Sequence, residues 1–158
     1  MKLDISLSKQ TLSVFQGIEK VKHYSISTGL NGHGQQNDSG CTPLGKHCIR
    51  ARIGDNQPIN TVFVGRRPTG EIYKKGMRAE QPHRDWILTR ILWLSGCEPG
   101  FNRLGSVDTM RRYIYIHGAP EEVRMGGVGS KGCIRMRNND LIELFNMVAP
   151  QTEVNIRV

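Results

Sequence analysis

YIYIHG, at Tyr113–Gly118, and SKGCIRM, at Ser130–Met136, are the two stretches from which the rest of this chain can be interpreted. The first is an apolar run of aromatic and β-branched residues, which is typical of a β-strand, and Gly118 interrupts it directly after His117. The second contains Cys133 in a small polar turn. Because rigid scaffolds present reactive side chains at strand ends and in loops, His117 and Cys133 are candidates for a functional site.

These residue types indicate nucleophilic catalysis. A thiol is a strong nucleophile only as a thiolate, and a nearby imidazole can accept its proton, so Cys133 and His117 together predict a cysteine acyl-transfer enzyme. Gly132 lets a substrate carbonyl approach closely and leaves backbone N–H groups free to bind an oxyanion. The alternative is chance, because a chain with four cysteines and five histidines contains some His–Cys pair at moderate spacing in any case.

Most of the remaining sequence alternates apolar and polar residues with the period of two that is typical of strands. Leu3, Ile5 and Leu7 alternate in this way, and the polar residues 8–10 predict a hairpin to a second strand through residues 12–14. Further strands are predicted at 21–27, 46–53, 60–65, 71–73 and 152–158, with turns at 16–17 and 67–70. Residues 86–94 are mostly apolar and fit either a strand or a buried helix, and their β-branched and aromatic residues favour a strand. The pattern predicts a mostly β fold, a sandwich or a barrel, with one or two short helices.

One helix is predicted near the C-terminus from apolar residues that share one helical face. These residues are Leu141, Ile142, Leu144, Phe145 and Val148. Asn139 or Asp140 is expected to cap its start with Glu143 as the capping partner, and Pro150 is expected to end it.

Long stretches between the predicted strands lack a regular pattern. Residues 30–45 are predicted to be loop, residues 74–84 irregular, and residues 95–110 a long loop with one helical turn. Loops of this length in a compact domain are usually functional, so residues 66–110 are predicted to contain a long flap over the site.

Length and composition predict a single domain over residues 1–158, because the charged fraction of 23% is ordinary and no apolar run approaches membrane-spanning length. The first residues look like a strand and not like a secretory signal, so the expected location is the cytoplasm, or the periplasm if a signal peptide precedes them. In the cytoplasm the four cysteines are expected to be reduced. Trp86 and Trp93 are expected to pack in the core.

The net charge of +8 allows several partners. Nucleic acid, an anionic small substrate and the anionic cell wall are all compatible with it, as is a general effect on solubility. The basic residues are scattered and show no recognition pattern. A zinc site at His33, Cys41, His47 and Cys48 is disfavoured because the spacing matches no familiar ligand pattern, so neither a metal nor a cofactor is expected.

With these residues in hand, the chain resembles the L,D-transpeptidase catalytic domains of bacterial peptidoglycan enzymes. That family has a His, a Gly-rich stretch, then Ser-His-Gly-Cys followed by an apolar residue and Arg or Asn. Here the motif reads Tyr115-Ile116-His117-Gly118 and Ser130-Lys131-Gly132-Cys133-Ile134-Arg135-Met136. Residues 4–10, 27–29, 42–45 and 138–145 match further landmarks, so the resemblance covers nearly the whole chain. It implies an L,D-transpeptidase-like β-sandwich with a flap.

The resemblance implies a role for each residue of the motif. Cys133 would attack the carbonyl before the terminal D-amino acid of a stem peptide, and His117 would accept the thiol proton and pass it to the leaving amine. The backbone carbonyl of Gly118 would orient the imidazole, and the N–H groups of Gly132 and Cys133, with Lys131 as a further donor, would bind the oxyanion. No cofactor is implied, and carbapenem-type β-lactams are expected to acylate the thiol.

Three neighbouring residues are candidates for substrate binding. Arg135 is suited to a substrate carboxylate, although it could instead brace the loop, and Ser130 is expected to supply a turn hydrogen bond. Lys131 stands where the family usually has His, and it is not assigned a role as base. The upstream His117 is expected to keep that role, while any substrate contact made by the missing imidazole is in doubt.

The motif does not distinguish the acyl acceptor. Water would make the protein an L,D-carboxypeptidase on cytoplasmic muropeptides, which is the interpretation we favour, and an amine would make it a transpeptidase that forms 3→3 cross-links or exchanges D-amino acids. Two other classes stay open on the residues alone. One is a thiol peptidase on ordinary proteins, and the other is a non-enzymatic basic β-domain that binds nucleic acid, although neither nucleic acid nor membrane is the expected partner.

Overall fold

Strands dominate the computed structural model, which describes residues 1–158. The ten strands are β1 (Lys2–Ser6), β2 (Thr11–Gln16), β3 (Glu19–Ser27), β4 (Gly45–Ile53), β5 (Thr61–Val64), β6 (Arg67–Ile72), β7 (Ile87–Gly96), β8 (Tyr115–Gly118), β9 (Ile134–Met136) and β10 (Glu153–Arg157). The helices are α1 (Met77–Glu80), α2 (Asn138–Met147) and a 3₁₀ turn at Gly105–Val107. None of these helices has the length and apolar character needed to cross a bilayer. The mostly β prediction with short helices is confirmed.

Eight of the strands form a sheet that closes on itself. Their order is β4-β10-β1-β2-β3-β9-β8-β7, and β7 then pairs with β4 to complete the ring. The pairs β1–β10 and β8–β9 are parallel, whereas the other neighbours are antiparallel. The β5–β6 hairpin branches from β7. Closure leaves no exposed edge on these eight strands, which stabilises the walls that carry the site.

Strand alternation explains the main core. Leu3 and Ile5 of β1 and Val154 and Ile156 of β10 are at most 1% exposed, because every second residue of each strand points inward. They belong to one apolar cluster with Leu141, Leu144 and Phe145, the buried residues of α2. Burial of each such side chain contributes about 1.5–3 kcal/mol, so α2 is attached to the sheet chiefly by this face.

The β5–β6 turn lies earlier than the sequence predicted. The expected turn at residues 67–70 belongs to β6, and the two-residue loop is Gly65-Arg66, flanked by the pair Val64 and Arg67. Both loop residues have positive φ, 55° for Gly65 and 64° for Arg66. Tight hairpins favour this left-handed geometry because it matches the strand twist, and Arg66 adopts it although it is not glycine.

The start of α2 also differs from the prediction. Its N-cap is Arg137 without a side-chain capping bond, so neither Asn139 nor Asp140 caps it. Glu143 is not a capping partner either, because it accepts hydrogen bonds from the Tyr24 hydroxyl at 2.6 Å and from Lys22 at 3.0 Å. These contacts attach the helix to β3, and they explain why the Glu143 carboxylate points towards that strand instead of the helix N-terminus.

Residues 66–110, predicted to contain the flap, hold more regular structure than expected. They include β6, β7 and the predicted helical turn of residues 95–110, which is the 3₁₀ turn. The stretch 74–84 was expected to be irregular but contains α1. Within this region, six side chains between Arg78 and Trp86 line a cavity that Lys131 and Arg135 also line.

His47 attaches the long segment before β8 to the barrel. Its imidazole is 1% exposed, with Nδ1 3.0 Å from the Gly45 carbonyl and Nε2 2.9 Å from Thr109 Oγ1. Asn102 also donates to the carbonyls of Leu44 and Lys46. Burial lowers the pKa of His47 from 6.5 to about 4, with the Gly45 bond opposing the shift.

We expect stability to fall as the pH drops from 6.5 to 4. The unfolded chain protonates His47 near its ordinary pKa whereas the folded chain keeps it neutral, so the unfolded state binds more protons. The loss from this group reaches about 3 kcal/mol below pH 4. Urea unfolding of wild type and His47→Gln at pH 7 and pH 4 measures it, and the variant should lose less stability. Equal losses in the two proteins would contradict the prediction.

Candidate active site

The parallel pairing of β8 with β9 brings the two predicted reactive residues together. His117 lies opposite Arg135 and Ile116 opposite Ile134, so Cys133, directly before β9, is level with Tyr115. Side chains alternate along strands, so the isoleucines enter the core while His117, Cys133 and Arg135 share the other face. The imidazole and the thiol are therefore diagonal neighbours across two adjacent strands.

Backbone groups hold the thiol in the resting structure. Cys133 is partly buried, and its sulfur donates to the Tyr113 carbonyl at 3.3 Å and accepts from the Tyr115 N–H at 3.3 Å. The imidazole is not among these partners. Diagonal cross-strand neighbours stand about 7–8 Å apart at Cα, within reach of larger side chains. Catalytic hydrogen bonds often form only when substrate is bound, so this arrangement is compatible with proton transfer.

One backbone carbonyl fixes the tautomer of His117. The imidazole is 1% exposed, and its Nδ1 donates to the Gly118 carbonyl at 2.6 Å, which leaves Nε2 as the acceptor. Gly118 is required here because a Cβ would meet Asn138 Oδ1 and would lie 2.6 Å from the Leu88 carbonyl. The Gly118 carbonyl, which the family resemblance implied would orient the imidazole, therefore accepts a hydrogen bond from it.

Ser130 organises the turn that precedes Cys133. Its hydroxyl donates to the Cys133 carbonyl at 2.6 Å and accepts from the Gly132 N–H at 3.1 Å. The Gly132 N–H, which the sequence assigned to the oxyanion, is therefore engaged inside the turn. The N–H groups of Lys131 and Cys133 are not used by the turn's own hydrogen bonds and are the better candidates for oxyanion donors. Ser130 is 4% exposed and lines neither cavity described below.

A neighbouring loop braces the same turn. Gly132 has φ +121°, and a Cβ there would lie 2.8 Å from the Cys41 carbonyl. Thr42 Oγ1 donates to the Gly132 carbonyl at 2.9 Å, and Arg112 donates to the Cys41 carbonyl at 2.6 Å. In the sequence Arg112 is one of two adjacent arginines, and no motif marks it as part of the site. Its function as a brace depends on two segments that are distant in the chain.

Two polar cavities flank the turn, and Lys131 lines both. The first has a volume of about 350 Å³ and is lined by six charged or ionisable side chains, Arg78, His83, Arg84, Asp85, Lys131 and Arg135. The second, of about 480 Å³, is lined by four charged side chains, Asp38, Arg111, Arg112 and Lys131, and by uncharged residues that include Tyr113. The predicted binding residues Arg135 and Lys131 therefore reach a cavity. A larger cavity of about 560 Å³ lies beyond Pro120 and contains none of the predicted site residues.

Burial keeps both reactive groups neutral in the resting state. It raises the pKa of Cys133 to about 12, opposed by the Tyr115 N–H and reinforced by Asp85, while Arg135 and Arg112 lower the value. It also lowers the pKa of His117, with Asp85 and the Gly118 bond opposing the shift and Arg135 adding to it. A thiol and a neutral imidazole that can accept its proton therefore stand ready, rather than a preformed ion pair.

Sequence reasoning missed Asp85, which affects the pKa of both reactive groups. It lies next to Trp86 in a polar stretch that carries no motif. Trp86 is 4% exposed and packs in a core cluster as predicted, at 5.1 Å from the Tyr73 ring. Trp93 packs edge-on against Tyr115 at 5.9 Å.

The residues considered for a zinc site, His33, Cys41, His47 and Cys48, do not form one cluster, and two of them make other contacts. His47 binds Gly45 and Thr109, and Cys41 is a free thiol within hydrogen-bonding distance of the Asn31 and Ser39 carbonyls. The structure contains no group of three or more His, Cys, Asp or Glu side chains arranged to hold a metal ion.

Comparison with known proteins adds to this geometry. The YkuD family model, L,D-transpeptidase catalytic domain, matches residues 1–156. The chain belongs to this family. This match confirms the resemblance to L,D-transpeptidases that the motif indicated, and it extends over nearly the whole chain. No curated protein matches the chain.

Solved structures share the fold of this L,D-transpeptidase domain. An L,D-transpeptidase from Mycobacterium smegmatis is 16% identical with a TM-score of 0.58, over 99% of this chain and 58% of its own. L,D-transpeptidase 3 from Mycobacterium tuberculosis, with a faropenem-derived adduct, is 15% identical with a TM-score of 0.56, over 99% and 59%. An L,D-transpeptidase in complex with imipenem is 18% identical with a TM-score of 0.59, over 98% and 57%. The chain thus spans less than two thirds of the length of these structures.

Replacing Asp85 by asparagine should lower the pKa of both reactive groups. The carboxylate favours the thiol over the thiolate and the imidazolium over the imidazole, so its removal shifts both titrations to lower pH. The rate of Cys133 alkylation by iodoacetamide against pH, in a protein whose other three cysteines are serine, measures the thiol. NMR titration of His117 measures the imidazole.

Asp4→Asn is the matched control for this change, because that carboxylate is on β1 and pairs with Arg157. It should leave both titrations in place. An Asp85→Asn protein with wild-type profiles would contradict the electrostatic role of Asp85.

Proposed function

We propose that this L,D-transpeptidase-family domain is a cysteine acyl-enzyme that cleaves the L,D bond before the terminal D-amino acid of peptidoglycan stem peptides. The observation that carries the proposal is the placement of His117 and Cys133 on one face of β8 and β9, with the thiol next to a turn that lines two cavities. Family membership supports transpeptidase-type acyl transfer as the reaction class.

In the proposed first step His117 Nε2 removes the thiol proton as Cys133 Sγ forms a bond to the substrate carbonyl carbon. The Gly118 bond at Nδ1 holds the imidazole in the tautomer that this step needs. The proton then passes from Nε2 to the nitrogen of the departing D-amino acid when the C–N bond breaks. The N–H groups of Cys133 and Lys131 stabilise the negative charge on oxygen, and each such donor lowers the barrier by about 3 kcal/mol.

The first cavity suits a substrate that carries carboxylates. Arg135, Lys131 and the guanidinium groups of Arg78 and Arg84 line it with positive charge, and Asp85 is its single carboxylate. A guanidinium matches the fork of a carboxylate, so we assign Arg135 to the carboxylate of the stem peptide. The cost of burying Arg135, which lowers its pKa, is offset when that anion binds.

We propose water as the acyl acceptor, which makes the domain an L,D-carboxypeptidase. The second cavity, on the other side of Lys131, has Arg111 and Arg112 in its lining and Asp38 as its single acid. This positive lining disfavours an incoming ammonium group, whereas water enters freely. The predicted cytoplasmic location and the role in muropeptide recycling belong to the same proposal, and fractionation of the native cells tests them.

An amine acceptor is the second candidate, and the size of the second cavity favours it. A volume of about 480 Å³ beside Tyr113, whose carbonyl binds the Cys133 sulfur, is large enough for the end of a second stem peptide. Such an acceptor would give the 3→3 cross-link of a transpeptidase or the exchange of a D-amino acid.

Incubation with a disaccharide-tetrapeptide should release the terminal D-amino acid and leave a disaccharide-tripeptide. Mass spectrometry of the products distinguishes the acceptors, and cross-linked dimers as the main product would contradict hydrolysis.

Cys133→Ala should lower the rate of this reaction at least about 1,000-fold. His117→Ala should lower it about 100-fold or more. Cys97→Ser is the matched control, because Cys97 lies outside both cavities that flank the active-site turn.

A carbapenem should acylate Cys133 because its strained carbonyl takes the position of the scissile one. Intact mass after incubation with imipenem should rise by one drug molecule per chain in wild type and in Cys97→Ser, and should not change in Cys133→Ala. An adduct that persists on Cys133→Ala, or no adduct on wild type, would contradict the assignment of the nucleophile. One of the solved structures that share this fold is a complex with imipenem.

A further inference from the structure

Two cysteines at the seam between β4 and β7 are not used by the proposed reaction. Cys48 is on β4 and partly buried, and Cys97 follows the last residue of β7 and is exposed. Both are free thiols, and both line a separate cavity of about 370 Å³ in which Lys2, Lys46 and Glu153 are the charged groups. This cavity shares no residue with the two that flank Cys133.

The strand register places the two thiols on the same face. Cys48 lies opposite Ser95 and His47 opposite Gly96, and the Cys97 N–H donates to the Lys46 carbonyl at 2.9 Å. Cys97 is thus two positions beyond the partner of Cys48, which makes the two cysteines diagonal neighbours across the β4–β7 pair. Burial and the neighbouring Cys48 thiol raise the pKa of Cys97, while Arg103 opposes the shift.

A disulfide between these positions requires only a small movement. Diagonal neighbours are separated by about 7–8 Å at Cα, and disulfides span about 4.4–6.8 Å. The partner residues Ser95 and Gly96 are small and do not obstruct the approach.

We propose that Cys48 and Cys97 form an oxidation site, at which a hydroperoxide converts the two thiols into one disulfide. The exposed Cys97 thiol loses its proton, and the minor thiolate form attacks a peroxide oxygen, so that an S–O bond forms and the O–O bond breaks. With hydrogen peroxide the leaving group is hydroxide, which takes up the proton from the thiol and departs as water. Cys48 then attacks the Cys97 sulfenic acid, so that the S–S bond forms, the S–O bond breaks and a second water leaves. Two thiols are oxidised and one peroxide is reduced.

The site lies at the seam where the ring of strands closes. β4 and β7 are distant in sequence, and their pairing completes the barrel. A disulfide here encloses the chain between Cys48 and Cys97, which restricts the unfolded state more strongly than a short loop would. It also attaches to β4 the segment that leads to Tyr113, whose carbonyl binds the Cys133 sulfur.

The test uses the full chain with Cys41 and Cys133 replaced by serine, which leaves only the proposed pair. After treatment with hydrogen peroxide, the intact mass should fall by about 2 Da and maleimide labelling should be lost. A tryptic digest should contain residues 47–50 joined to residues 91–103. The melting temperature should rise by about 10 °C and return on reduction with dithiothreitol.

Cys48→Ser in the same background is the matched control, and it should gain oxygen or dimerise without the rise in melting temperature. Three results would overturn the proposal: Cys97 oxidised to the sulfinic acid while Cys48 stays labelled, disulfide-linked dimers as the main product, or a linked pair that lowers the melting temperature. Activity in the wild-type background is read separately, so the outcome does not depend on the proposed function of Cys133.

Discussion

The parallel pairing of β8 with β9 is the constraint on which the site depends. It aligns His117 with Arg135 and sets Cys133 beside Tyr115, so that one face of two strands carries the imidazole, the thiol and a guanidinium. A slip of one residue would turn one of the two reactive side chains into the apolar core. The isoleucines opposite each other in this register are fully buried, which makes such a slip costly. The packing of the core therefore fixes the positions of the His117 and Cys133 side chains relative to each other.

Close backbone approaches on both sides secure that register. Gly118 permits the contact with Asn138, whose side chain also bonds the Ala119 carbonyl at 2.9 Å, and Gly132 permits the contact with the Cys41 carbonyl. In both places a Cβ would require a neighbour to move, so the glycines are needed for packing and not only for flexibility. The result is a pre-organised pair of strand ends with little freedom to reorient, which suits a site that must hold a base near a nucleophile.

The charged groups around Cys133 and His117 have opposing effects on the pKa values of the two residues. Asp85 and Arg135 act in opposite directions on both Cys133 and His117, while burial keeps each group neutral. A neutral pair in a dry environment avoids the desolvation cost of a resting ion pair. In the proposed reaction, proton transfer accompanies the attack, and the oxyanion forms near the backbone donors and the charges of the cavities.

How far the sequence could predict this protein depends on the range of the interactions. Strand alternation identified β1, β2 and β10, because a period of two is a local property of the chain. The strand β7 was predicted instead from its β-branched and aromatic content. Gly65-Arg66 was missed as a turn because Arg66 gives no local sign of a left-handed conformation. The N-cap of α2 was misplaced because the preference for Asn139 or Asp140 was overridden by packing.

The sequence by itself determined the family and the mostly β architecture, and it singled out Cys133 and His117 as the proposed nucleophile and base, because these are contained in motifs and in local periodicity. Only the tertiary structure decided that the Gly132 N–H is occupied by Ser130, that the Asp85 charge acts on the pKa of both reactive groups, and that Arg112 braces the turn. These depend on residues from separate segments meeting after the sheet has closed. No local sequence pattern predicts which residues from distant segments come into contact when the sheet closes.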